Sequence, residues 1–203
     1  MAMLFRSTTG FTLHELLFTL VIVGVVLALG LPNMGSFSAD QRLTVAASEL
    51  QNAFKLARSE AIRSRGNVTV CASENSMSVD ADCRGTWRDG FIVFADVDGN
   101  LVRAGADEKI IRAHPASAAG VQLLAVNDAH YFSFGAAGTG RGDVDGAIAV
   151  SQIVICDERG NAEAAAGESA GRLFVATPQG LTTTSRERSM VGDALRRIAD
   201  GCS

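Results

Sequence analysis

The feature that most constrains this chain is an apolar run from Leu16 to Leu31, in which Thr19 is the most polar residue and no charge occurs. Counted from Phe11 to Leu31 the segment has 21 residues. As a helix rising 1.5 Å per residue it would span about 31 Å, the thickness of a bilayer hydrocarbon core. The sequence therefore predicts one membrane anchor. From about Ser38 onward composition is mixed, glycine concentrates in the second half, and no second apolar run of that length occurs. Hydrophobic residues make up 47% of the 203 and charged residues 20%, which excludes a disordered chain. A net charge of -4 excludes a general polycation, so any polyanion binding would have to be local.

The order of features before the run is informative. Arg6 and the apolar stretch have the layout of a secretory signal, but such a signal places its small-residue cleavage site after the stretch. Here the clearest small-residue punctuation, Gly10, comes before it; the later Ala28-Leu29-Gly30 is only loosely of that type and runs into Leu31 and Pro32. A short leader ending at Gly10 is the stronger reading.

The text Gly10-Phe11-Thr12-Leu13-His14-Glu15-Leu16-Leu17 closely resembles the type III signal of type IV pilins and pseudopilins. Glu15 then falls at the fifth mature position and Pro32 at the twenty-second, in the family's register; His14 departs from it, standing where most members carry an aliphatic residue. The resemblance implies cleavage after Gly10 by a prepilin peptidase and N-methylation of Phe11. It also implies a leader over 1–10, a transmembrane and filament-core helix over 11–37, and a periplasmic domain over 38–203. A carboxylate among apolar side chains costs several kcal/mol unless paired or neutralised, so Glu15 is a functional candidate on chemistry alone. In the family's mechanism it meets the Phe11 ammonium of a neighbouring subunit; the bland alternative is a side chain that snorkels to water. His14 reads as interfacial and neutral.

Beyond Pro32, which with Gly30 and Gly35 nearby predicts a kink, helical spacing resumes. Leu43, Ala47, Leu50, Phe54, Ala57 and Ala61 form one apolar stripe, and the helix is expected to end near Arg65 with Gly66 as its cap. Strand candidates follow over 67–72, 87–96, 110–111, 121–126, 131–134, 148–156 and 173–177. The class is α+β: a long N-terminal helix, half membrane-embedded and half amphipathic, packed on a mainly antiparallel sheet. Within it, Leu56-Ala57-Arg58-Ser59-Glu60-Ala61-Ile62-Arg63, Val68-Thr69-Val70-Cys71 and Trp87-Arg88-Asp89-Gly90-Phe91-Ile92-Val93-Phe94 resemble the GspH/FimT subgroup of minor pilins and pseudopilins. That resemblance implies a low-abundance subunit that helps to initiate or cap a type IV pilus at its tip. The alternative is a minor pseudopilin of a type II secretion system. The implied partners are other major and minor pilins or pseudopilins, the prepilin peptidase and the bacterial inner membrane. A plain single-span anchored binding protein is a third reading.

Four cysteines, Cys71, Cys83, Cys156 and Cys202, lie where the anchor would expose them to an oxidising compartment, so disulfides are expected over a metal site. Of three pairings, Cys71 with Cys83 and Cys156 with Cys202 is favoured. Asp96-Val97-Asp98-Gly99-Asn100 reads as a turn and not an EF-hand, because Leu101 replaces the required glycine and Asp107 the closing glutamate. Arg141-Gly142-Asp143 and Gly167-Glu168-Ser169-Ala170-Gly171 are read as loops, the latter lacking the strand-to-helix context of a nucleophile elbow. No enzymatic activity, cofactor or metal is expected. The tail carries Arg186, Arg188, Arg196 and Arg197, and Ser185-Arg186-Glu187-Arg188 is similar to the Gly-Arg-x-Arg text that some subgroup members associate with DNA uptake. DNA is thus a further candidate partner, against the plainer reading of a solvated charged face.

Overall fold

The computed structural model describes residues 10–30, 34–104, 107–198 and 201–202, with the backbone alone at residues 29 and 30 and at 34. It falls into two compact units, Met1–Ala39 and Asp40–Ser203. The expected kink at Pro32 lies outside the described residues, as does the leader up to residue 9.

In the first unit, α1 is Leu13–Gly30. Its 18 residues rise about 27 Å, and it begins at Leu13, two residues after the expected start at Phe11, while Leu31 lies outside the described residues. The reason is local: Thr12 is the N-cap, so helical geometry begins one residue later. Among the described residues, no helix is long and apolar enough to cross a membrane.

Among the described residues the second unit takes most of α2, Met34–Ser64, and eight strands. The α2 stripe expected from spacing is buried: Leu43, Leu50, Phe54, Ala57 and Ala61 are fully enclosed, joined by Ala47 and Ala53. The helix ends in a Schellman motif whose left-handed residue is Arg65, at φ 52°, and not Gly66. Gly66 instead occupies the next position, and its N–H reaches the Ala61 carbonyl at 3.3 Å.

Two antiparallel sheets follow. The first has the order β3-β2-β1-β5, with β1 Asn67–Ala72, β2 Phe91–Asp96, β3 Ile110–His114 and β5 Tyr131–Phe134. The second has the order β4-β6-β7-β8, with β4 Gln122–Ala125, β6 Gln152–Cys156, β7 Arg172–Ala176 and β8 Thr182–Ser185. The apolar run of β2 is explained by its place between β1 and β3, where both faces are covered. Phe91 and Val93 join the core that includes α2, while Ile92 and Phe94 join a second cluster with Cys71, Leu101 and Tyr131. Phe54 centres the main core, its ring 4.7 Å from Phe174 of the second sheet and 5.4 Å from Phe132 of the first. One helix thus joins both sheets. Trp87 precedes β2 in a turn and donates its indole N–H to the Ala129 carbonyl at 2.8 Å.

Two elements escaped the sequence. The all-polar β8 closes the edge of the second sheet, and α3, Arg188–Leu195, packs Val191 and Ala194 on Val154 and Leu173, in a cluster with Cys156. The loop expected over 167–171 is partly buried. Ser169 and Ala170 are buried, Ser169 Oγ accepts the Gly171 N–H, and the chain leads into β7 and not into a helix.

Candidate functional site

The start of α1 carries the first set of candidates. Gly10 and Phe11 are exposed, Phe11 at 84%. Thr12 and Glu15 form a capping box: the Thr12 N–H donates to Glu15 Oε2 at 3.2 Å, and the Glu15 N–H donates to Thr12 Oγ1 at 3.3 Å. The pair is legible in the sequence as Thr-x-x-Glu before an apolar run, a signal that the cost of a charge among apolar side chains does not reveal. The box does two things. It satisfies two orphan helix donors, and it holds an acid in the first turn, where the helix dipole favours it. His14 packs edge-on against Phe18, 5.3 Å between rings, and stays exposed. Every described large apolar side chain of α1, from Leu13 to Leu27, is more than half exposed. A helix apolar all round is suited to burial on every face.

The arginines of the tail occupy different settings. Arg186 follows β8 and points to the N-terminal end of the second unit, bonding Asp40 Oδ2 at 3.2 Å, Glu168 at 3.2 Å and the Ser169 carbonyl at 3.1 Å. Asp40 gathers two more guanidiniums. Arg159 reaches Oδ1 at 3.3 Å, and the buried Arg172 reaches the Asp40 carbonyl at 3.0 Å and Thr44 Oγ1 at 2.7 Å. Burial, and then the neighbouring Arg186 charge, lower the pKa of Arg172. Arg188 opens α3 and pairs with Glu163 at 2.9 Å; Arg196 pairs with Asp193, and Arg197 bonds Gln152. The structure therefore gives the four arginines different partners. Arg186 is a packing residue, and the other three lie along the exposed side of the tail.

Both favoured disulfides form. Cys71 of β1 bonds Cys83, and Cys156 of β6 bonds Cys202, which ties the chain end over α3 and the outer face of the second sheet.

The family model described as type II transport protein GspH matches residues 46–186. The chain belongs to the GspH family. Its fold is that of a type IV minor pilin. A crystal structure of the minor pilin FimU of Pseudomonas aeruginosa PAO1 superposes with a TM-score of 0.50 at 18% identity, over 82% of this chain and 99% of that one. A second crystal form of FimU gives 0.47 at 17% identity, over 79% and 99%. No curated protein sequence matches the chain. At such identities the FimU likeness speaks for the fold, while membership in this family of minor pilins and pseudopilins rests on the GspH match.

Proposed function

We propose that this chain is a structural, non-catalytic minor subunit of a type IV pilus, cut after Gly10, methylated at Phe11 and taking part in initiating or capping assembly at the tip. The observation that carries it is the exposed apolar surface of α1, next to a signal in family register. Residues 1–10 serve as leader. Residues 11–37 are stored in the inner membrane and then buried among the helices of other subunits; 38–203 face the periplasm. Glu15, held in the first turn by Thr12, is placed one turn from the chain's Phe11. In assembly its carboxylate exchanges part of the capping box for the ammonium of a neighbouring subunit.

The family model's own description favours a second reading, a minor pseudopilin of a type II secretion system. Crosslinking the full chain in its native envelope, followed by mass spectrometry of attached subunits, separates the two. Pilins among the partners support the pilus; pseudopilins of the secretion apparatus replace it. Glu15→Ala should abolish capture of either set, and unchanged capture would leave a plain anchored protein.

A further inference from the structure

The turn after β2 holds an arrangement that pilin assembly does not use. Asp96 ends β2, Asp98 lies in the turn, and Glu108 stands just before β3; one carboxylate oxygen from each comes within 4.8 Å of the others. Hairpin closure brings Glu108 to Asp96, ten positions of sequence apart from Asp98, which is why the motif 96–100 alone gave no ligand set.

The three acids are held separately. Asp96 is fully buried, and its Oδ2 accepts Thr69 Oγ1 at 2.8 Å and Arg141 Nη1 at 3.3 Å. Glu108, also buried, accepts the Val97 N–H at 3.2 Å on Oε1 and the Ala104 N–H at 2.7 Å on Oε2. Exposed Asp98 is set by Asn100, whose N–H and side-chain amide donate to it at 3.1 and 2.7 Å. The other oxygen of Asp96, Oδ1, is buried with no hydrogen-bond partner. Leaving a buried charged acceptor unmade costs the desolvation of that oxygen. Among the described residues, Arg141 is the one guanidinium bonded to these carboxylates; Arg103 bonds the carbonyls of Glu108 and Ala81 instead. Three carboxylates thus share one directly bonded cation among the described residues.

The geometry points to a calcium site formed by Asp96, Asp98 and Glu108. Oxygens on opposite sides of a calcium ion are about 4.6 to 5.2 Å apart, from bonds of 2.3–2.6 Å, so the three fit one coordination shell. Around magnesium the corresponding distance is only about 4.2 Å, and its octahedron tolerates less irregularity. The ion would neutralise the excess charge, satisfy Asp96 Oδ1, and tie the β2–β3 turn together, with carbonyls or waters completing the shell.

Calcium chloride titrated calorimetrically into the chelator-stripped full chain in detergent tests this. Expected are one ion per chain, a Kd on the order of 10⁻⁴ to 10⁻³ M, and a Tm raised by about 3 to 6 °C at ten times that Kd. Asp98→Asn, at an exposed position, should keep the fold and bind at least tenfold more weakly, while Asp80→Asn should bind as the parent does. No heat and no Tm shift up to about 10 mM calcium, or an Asp98→Asn variant that titrates like the parent, would overturn the site. Equal binding of magnesium would make it a surface acidic cluster only.

Discussion

Arg186 and Asp40 are 146 residues apart in sequence and 3.2 Å apart in space. The contact joins the end of β8 to the first residue of the second unit, and Arg159 and Arg172 converge on the same aspartate. Removing the carboxylate leaves three guanidiniums close together, one of them buried. Asp40→Ala should therefore cost about 2 kcal/mol or more, and Arg186→Ala somewhat less, since Asp40 keeps two partners. Urea unfolding of the two variants checks the order; equal, negligible losses would show the cluster to be an ordinary surface network.

Phe54 is fully buried and touches aromatic rings from both sheets. Its truncation opens a cavity where three elements meet, with little freedom to collapse. Phe54→Ala should lower stability by about 3 to 5 kcal/mol, whereas Phe37→Ala, at an exposed site in the first unit, should cost next to nothing. Denaturant midpoints at constant m-value are the measurement.

These two sites mark what could be read in advance. The α2 stripe was legible because burial of one face imposes a period, and the β2 run because burial of both faces leaves an unbroken apolar segment; both signals survive without knowledge of partners. Asp40 was not legible as a hub, because its three arginines come from residues 159, 172 and 186, and no local pattern links them. The helix α3 was hidden differently: Val191 and Ala194 have helical spacing, but Gly192 between them and the arginines around them resemble a solvated tail. The Thr182–Ser185 strand has no apolar face at all, so alternation had nothing to show.

The two disulfides should differ in worth. Cys71–Cys83 closes a separation of 12 residues and Cys156–Cys202 one of 46. On the chain-entropy account these contribute about 3 and about 4 kcal/mol. The second also holds α3 against Val154 and Leu173. Cys202→Ser should then lower Tm more than Cys83→Ser and expose the 186–198 segment to protease first. Limited proteolysis with fragment mass analysis reads this directly.

Acid should loosen the Asp157 corner. Burial pushes this carboxyl up, but the side-chain and backbone hydrogen bonds of Arg159 outweigh it and hold the pKa below the usual 3.8. A depressed carboxylate stabilises the fold above its unfolded value and loses that contribution as pH falls through its folded value. The Tm gap between Asp157→Asn and the parent should thus be full near neutrality, shrink below about pH 4, and close in stronger acid. A gap independent of pH would assign the loss to packing.

The tail should be a poor ligand for DNA at physiological salt. Arg186 is committed to Asp40 and Glu168, which leaves Arg188, Arg196 and Arg197 as the cations a phosphate could recruit. Proteins with substantial non-specific affinity make about 6 to 10 phosphate contacts, and each contact adds roughly 0.9 to the salt slope. Three guanidiniums on a chain of net charge -4 fall short of that. Fluorescence anisotropy with a labelled duplex should show weak binding at low salt, a slope no steeper than about -3, and none near 0.15 M. Arg188→Ala should weaken the low-salt binding, and Arg186→Ala should change stability instead. Tight binding at 0.15 M that is lost in Arg188→Ala would turn the tail into a nucleic-acid surface after all, with the Arg188–Glu163 pair opening to admit phosphate.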